Sequence, residues 1–271
     1  MNETNGIIGI FDGLKAFPQT EAITLGGSRS TGLNDETSDY DVYIYVSEEI
    51  PEAARRKLLS EHCGSAEIGN RYWECEDNCV LNNGIPVDII YRDMKSFDES
   101  LHRTVFECVP SNAYTTCMWH NLLNSRIIFD RSESLAALKE KYSVPYPEKL
   151  RENIVRRGRK LLSGCIPSYD MQIKKAVLRN DRTAVTHRTA EFLASYYDVI
   201  FALNRLTHPG EKRLAEICAK QCAALPDNFE ENLNRLFAEL YTDKTPENVS
   251  CIVRELDILL ENEKSKGGAE L

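Results

Sequence analysis

The chain has 271 residues, 42% of them hydrophobic and 28% charged, and carries a formal net charge of −9. That composition fits one large globular domain or two ordinary ones and excludes disordered and collagen-like chains. The longest apolar runs, such as Val42–Val46 and Val87–Tyr91, fall far short of the roughly 18–20 residues that span a bilayer, and the acidic excess speaks against a surface built to hold a nucleic-acid backbone.

In chain order, Met1–Gly13 has neither a basic leader nor a long apolar stretch, so no secretory signal is expected. Ala22–Gly26 is a short β-like run ending in glycines. Tyr40–Val46 alternates and is rich in β-branched and aromatic residues, which predicts a strand. Pro51–Glu61 predicts a helix with proline near its start. Arg71–Glu74 and Pro86–Tyr91 read as two strands of a hairpin around the turn signal Asn82-Asn83-Gly84. Helices are expected over Ser96–Val109, Ala113–Leu123 and Ser132–Lys141, with a last strand at Ile127–Phe129.

Six further apolar-periodic stretches follow: Lys149–Leu162, Asp170–Arg179, Thr183–Leu206, Glu211–Cys222, Asn228–Tyr241 and Pro246–Glu261. Six helices on short connections predict a bundle, with a frayed tail from Glu263. The fold class expected is therefore α/β (α+β), a small mixed sheet followed by an all-α bundle. Residues up to Tyr146 carry 23 acidic and 13 basic groups, net −10, and those from Pro147 carry 19 and 20, net +1. That shift coincides with the proline joint Ser143–Pro147, which sets the expected domains at 1–146 and 147–271. Nine cysteines with no signal read as reduced thiols of a cytoplasmic protein, and the C-x3-C pairs Cys75/Cys79 and Cys218/Cys222 lack a second pair at zinc-site distance.

One stretch carries chemistry: Gly26-Gly27-Ser28-Arg29-Ser30 through Asp39-Tyr40-Asp41. Two glycines after a strand permit a tight turn with exposed N–H groups, and Ser28 and Ser30 add hydroxyls, a combination suited to phosphate. Arg29 either faces that phosphate or pairs with Glu36. Asp39 and Asp41 have the i, i+2 spacing that puts two side chains on one face of a strand. At about 4 Å and an effective dielectric near 20 they repel by roughly 4 kcal/mol, which a divalent cation removes. Asp88 interrupts the apolar strand Pro86–Tyr91, where an unpaired carboxylate is costly. It joins the metal site, takes a proton from an acceptor, or bridges to Arg71 or Arg92.

These residues resemble the DNA-polymerase-β-like nucleotidyltransferase superfamily. The matching elements are Leu25, Gly27-Ser28, Asp39-Tyr40-Asp41 and Asp88. The form Ser38-Asp39-Tyr40-Asp41-Val42 is similar to the small-molecule branch, the aminoglycoside and lincosamide nucleotidyltransferases. Ala202–Arg213 is similar to a helical domain of unknown function that often follows such domains. The resemblance implies a two-domain enzyme using ATP or another NTP with one or two Mg²⁺ ions. Gly27, Ser28, Arg29 and Ser30 would hold phosphates, Asp39, Asp41 and Asp88 the metal, and Lys212 the triphosphate from the helical half. Glu191 and Asp198 on one helix are further candidates for the base or for a cationic acceptor.

The acceptor expected is a small hydroxyl-bearing molecule, with NMP transferred and pyrophosphate released; an acidic first half suits a cationic one. Transfer to a protein or a tRNA end, for which the run Arg156–Lys160 is the best footprint, and a non-catalytic nucleotide-binding or antitoxin-like module are the alternatives.

Overall fold

The strand Tyr40–Val46 lies at the centre of the fold. In the computed structural model, which describes residues 5–27, 29 and 38–267, it is one of six strands. These are β1 (Thr20–Leu25), β2 (Tyr40–Val46), β3 (Cys63–Asn70), β4 (Cys75–Leu81), β5 (Pro86–Asp93) and β6 (Arg126–Asp130), in the order β3-β4-β5-β2-β1-β6. β2 and β5 run parallel, and all other neighbours run antiparallel.

Alternation explains the two faces of the sheet. Val42, Ile44, Val87 and Ile89 are fully buried and pack with Ile7, Ile10, Leu14 and Leu59 of helices α1 (Asn5–Ala16) and α2 (Glu52–His62). Asp41, Tyr43, Asp88 and Arg92 alternate with those residues and occupy the opposite face. The Asn82-Asn83-Gly84 signal forms its hairpin between β4 and β5. Gly84 has φ +89° and donates its N–H to the Leu81 carbonyl at 2.8 Å.

By contact the chain forms two compact units: Met1–His102 with Asn121–Val144, and Arg103–His120 with Pro145–Leu271. The sheet belongs to the first. The second contains the six helices of the C-terminal half, α6 (Glu148–Ser163), α7 (Tyr169–Leu178), α8 (Arg182–Leu203), α9 (Leu214–Gln221), α10 (Phe229–Ala238) and α11 (Thr245–Gly267). Between β5 and α6 the chain forms α3 (Met94–Val105), α4 (Cys117–Asn124) and α5 (Ser134–Tyr142). The expected class, a mixed sheet with helices followed by a helical region, is the one observed.

Helix α8 is the hub of the second unit, with Phe192, Tyr196, Val199, Ile200 and Leu203 all buried. The Tyr196-Tyr197 pair is core, packed on Phe229. Gly158 of α6 lets that helix approach α8, since a Cβ there would stand 2.4 Å from Val199 Cγ2. No helix among the described residues is long and apolar enough to cross a membrane.

The structure departs from the sequence reading in several places. Arg71–Glu74 is a bend rather than a strand, with Tyr72 and Trp73 80% and 83% exposed. The first hairpin partner instead starts at Cys75. β3 precedes it as an edge strand whose Gly-Ser-Ala-Glu stretch has little β propensity and is held by pairing with β4. Helix α1 was not anticipated, although Ile7, Ile10, Phe11 and Leu14 line its buried face. The helix expected over Thr183–Leu206 ends at Leu203, where Arg205 takes φ +55° and Leu206 donates back to the Phe201 carbonyl. The helix expected from Glu211 starts at Leu214. The last helix continues to Gly267 rather than fraying from Glu263.

Candidate active site

Register brings the carboxylates together. β2 and β5 pair in parallel with Asp41 opposite Asp88, and Asp39 enters the same end of β2. One ligand oxygen from each of Asp39, Asp41 and Asp88 falls within 4.8 Å of the others, and all three residues are partly buried. Among the described residues this is the one cluster of such groups able to hold a metal ion. An all-carboxylate oxygen set fits a hard divalent cation such as Mg²⁺.

The glycine turn packs directly on this group. Gly26 donates its N–H to the Asp41 carbonyl at 2.8 Å. Gly27 has φ +59°, and a Cβ there would lie 1.9 Å from Asp41 Oδ2, so any side chain would displace the carboxylate. Arg29 spans the ends of the loop. Its Nε donates to the carbonyls of Ser38 and Asp39 at 2.9 and 3.1 Å, and its guanidinium stacks 4.0 Å above the Tyr40 ring. Ser28, Ser30 and Glu36 lie outside the described residues.

Asp88 forms neither of the ion pairs weighed for it. Arg71 pairs with Glu49 at 2.6 Å, and Arg92 makes two bonds to Glu74 at 2.9 Å each. Asp88 Oδ1 instead accepts from Asn78 Nδ2 at 2.8 Å. Burial works against the charge on Arg92, but Glu74 together with Tyr45 and Tyr43 outweighs it and holds its pKa above the usual arginine value. Arg92 also lies 4.3 Å over the Tyr43 ring. Burial pushes the Tyr43 phenol up to about 12, so it stays protonated beside Asp41. The sequence did not point to Asn78, Tyr43 or Glu74, and offered Arg92 only as an ion-pair partner for Asp88. The alternation of β4 and β5 was the available signal, since it puts Asn78 and Arg92 on the carboxylate face.

Residues 7–111 match the family model described as the nucleotidyltransferase domain. The chain carries a nucleotidyltransferase domain. Residues 114–214 match a domain of unknown function, DUF4037. The first agrees with the resemblance drawn from the Gly-Ser and Asp-x-Asp residues and the second with the one drawn from Ala202–Arg213, and the chain is an enzyme of nucleotidyl transfer. No curated protein matches it.

Solved structures similar to this chain include the following three. A nucleotidyltransferase-like protein from Exiguobacterium sibiricum is 15% identical with TM-score 0.43, over 97% of this chain and 76% of that one. An aminoglycoside 6-adenyltransferase from Bacillus subtilis is 9% identical with TM-score 0.32, over 95% and 90%. A spectinomycin adenyltransferase from Enterococcus faecialis, solved with ATP and spectinomycin, is 14% identical with TM-score 0.34, over 94% and 100%.

Beyond the nucleotidyltransferase domain, Lys212 is exposed in the turn before α9. Glu191 is exposed and accepts from the Tyr169 hydroxyl at 3.3 Å. Asp198 differs from both: it is 3% exposed, and its oxygens accept from the Thr115 N–H at 3.0 Å and the Thr115 hydroxyl at 2.7 Å. It ties the 103–120 segment to α8 rather than facing an acceptor.

Burial pushes the Asp198 carboxyl up to about 6, against the opposing Thr115 hydrogen bonds. Because the folded-state pKa lies above the unfolded one, the bound proton favours the fold. That contribution is complete below the unfolded value of about 3.9 and is lost as pH rises through about 6. Asp198→Asn keeps an acceptor for the Thr115 N–H and never ionises. It is expected to raise stability at pH 7.5 by up to about 3 kcal/mol over wild type and to give no gain at pH 4. Urea titrations at the two pH values measure this, and an equal loss at both would refute it.

Proposed function

We propose that this enzyme moves an NMP, from ATP in the first instance, to a hydroxyl of a small cationic acceptor and releases pyrophosphate. One observation carries the reading: two carboxylates on adjacent parallel strands and a third just before one of them meet within 4.8 Å beside a glycine turn, inside a nucleotidyltransferase domain. Asp39, Asp41 and Asp88 would hold Mg²⁺, which when bound neutralises charge on the phosphates and the attacking oxygen.

The chain's own residues do the positioning. The turn at Gly27, with Ser28, Arg29 and Ser30, receives the leaving phosphates. The acceptor oxygen bonds to the α-phosphorus as the bond to the β-phosphate oxygen breaks, and the hydroxyl proton leaves to solvent. Positioning and charge supply most of the rate, since the protein forms no covalent bond of its own. Metal and phosphate chemistry belong to domain 1–146. The excess of carboxylates in the first domain favours a polycationic acceptor of the aminoglycoside or lincosamide kind. Free thiols at all nine cysteines fit a cytoplasmic enzyme.

A second reading, transfer to a tRNA end, draws on a groove of about 310 Å³ lined by Arg156, Arg159, Lys160 and Lys264. Asp257 and Glu261 in the same groove offset part of that charge, with Asp257 paired to Arg159.

The test incubates the enzyme with each labelled NTP, Mg²⁺ and a panel of aminoglycosides, lincosamides and tRNA, and follows pyrophosphate. Release that depends on ATP and a small cationic acceptor is expected. Release that depends on tRNA would move the assignment to the second reading. No release with any acceptor would leave a nucleotide-binding module.

A further inference from the structure

Asp88 is held by a neutral amide whose direction is fixed from outside the site. In β4, Asn78 stands opposite Asp88 of β5, which stands opposite Asp41 of β2, so the three residues form one row across three strands. Asn78 Nδ2 donates to Asp88 Oδ1 at 2.8 Å and to Glu76 Oε2 at 3.3 Å. Asn78 Oδ1 accepts from Asn70 Nδ2 at 3.0 Å, and Asn70 Oδ1 accepts from the backbone N–H of Tyr72 at 2.9 Å.

A backbone N–H can only donate, so the Asn70 oxygen must face Tyr72 and its NH₂ must face Asn78. The Asn78 oxygen is then turned to Asn70 and its NH₂ to Asp88. Each amide in the chain has one allowed orientation, and that orientation ends with a donor on the carboxylate.

We infer that Asn78 is a positioning residue for Asp88, and that Asn70 sets the direction of the Asn78 amide. A carboxylate's terminal torsion is broad and nearly two-fold when nothing holds it. With Oδ1 engaged by Asn78, Oδ2 is the oxygen left for the point shared with Asp39 and Asp41. An amide does this without cancelling charge, whereas a lysine or arginine at position 78 would compete with the cation for Asp88. The same economy explains Glu74. Arg92 lies on the Asp88 face of β5, four residues along, and its two bonds to Glu74 keep its charge away from Asp88. Partners that orient a metal ligand in this way typically account for 10- to 100-fold in metal affinity.

This inference rests on the reading that the three carboxylates hold a divalent cation, and the test separates the two. The probe is Mn²⁺, with free ion counted by electron paramagnetic resonance on the full-length protein. Wild type is expected to bind Mn²⁺ and Asp88→Asn to lose that binding. Asn78→Leu, close in volume but without a donor, should weaken Mn²⁺ by about 10- to 100-fold at an unchanged Tm. Asn78→Gln, which retains an amide, should recover part of the loss, and Asn70→Ala should lose less than Asn78→Leu because the Asn78 amide survives but is free to flip. Mn²⁺ binding by Asn78→Leu equal to wild type overturns the role of Asn78 and leaves the metal site standing. If Asn78→Leu fails to fold, Asn70→Ala decides: a wild-type affinity there overturns the relay. If wild type binds no Mn²⁺, or Asp88→Asn binds as well as wild type, the metal reading itself fails, and this inference with it.

Discussion

Asp41→Asn is expected to lower kcat by about 10³-fold or more while the protein stays folded. The carboxylate is one of three whose oxygens lie within 4.8 Å, and charge stabilisation by a bound metal supplies several kcal/mol of the barrier. A loss of about 4 kcal/mol corresponds to roughly 10³ in rate. The amide is nearly isosteric, so Gly27 still packs against position 41 without a clash. Stability should move in the opposite direction to activity. At 4.8 Å and an effective dielectric near 20, each carboxylate pair repels by about 3 kcal/mol, less where solvent reaches it. Removing one charge relieves two such terms. In EDTA the variant should therefore melt no lower than wild type, and the rise in Tm that Mg²⁺ gives wild type should shrink or vanish. Normal turnover, or a Mg²⁺-dependent Tm rise equal to that of wild type, would refute the assignment of Asp41. Asp39→Asn should behave in the same way.

The site was legible where chemistry leaves its mark within a few residues. Gly27-Ser28 followed by Asp39-Tyr40-Asp41 is a local pattern, and the glycine has a geometric reason, since a Cβ would meet Asp41. The hairpin at Asn82-Asn83-Gly84 and the strands β2, β5 and β6 are local in the same sense, fixed by alternation and a positive-φ turn. What stayed hidden depends on pairing between distant segments. A polar residue at position 78 looks like a solvent-facing strand residue until the β4–β5 register sets it against Asp88. β3 has no strong β-formers and exists because β4 offers it an edge. Tyr72 and Trp73 mislead for the converse reason: their β propensity is real, but no strand pairs with them. Glu191 and Asp198 were equivalent as helix residues, and only the Thr115 contacts and burial separate them. Periodicity places a side chain on a face; it does not say what covers that face.

Arg55→Ala carries the largest stability effect expected, about 3–5 kcal/mol of destabilisation in urea unfolding. Arg55 and Asp77 form an ion pair in the core, 1% and 0% exposed, between α2 and β4. Asp77 also accepts from the Gly69 N–H and the Tyr91 hydroxyl, each at 2.9 Å, and Arg55 Nε donates to the Ile50 carbonyl at 3.0 Å. Alanine leaves Asp77 with two donors, no counter-charge and a void where the guanidinium stacked on Tyr91. Arg55→Met with Asp77→Asn should recover most of the loss, because it removes both charges, keeps an acceptor for the Gly69 N–H and turns its NH₂ as a donor to the Tyr91 hydroxyl. If the double variant is no more stable than Arg55→Ala, the cost comes from the lost hydrogen bonds of the guanidinium rather than from a stranded charge. Asp77 and Asn78 are neighbours on β4 with side chains on opposite faces, so the ion pair anchors one face of the strand whose other face holds Asp88. The two should nonetheless fail differently. Arg55→Ala should reduce the fraction folded and leave Mn²⁺ affinity per folded molecule unchanged, whereas Asn78→Leu should do the reverse. Weakened metal binding in folded Arg55→Ala would mean that β4 shifts its register when its core anchor is lost, carrying Asn78 away from Asp88.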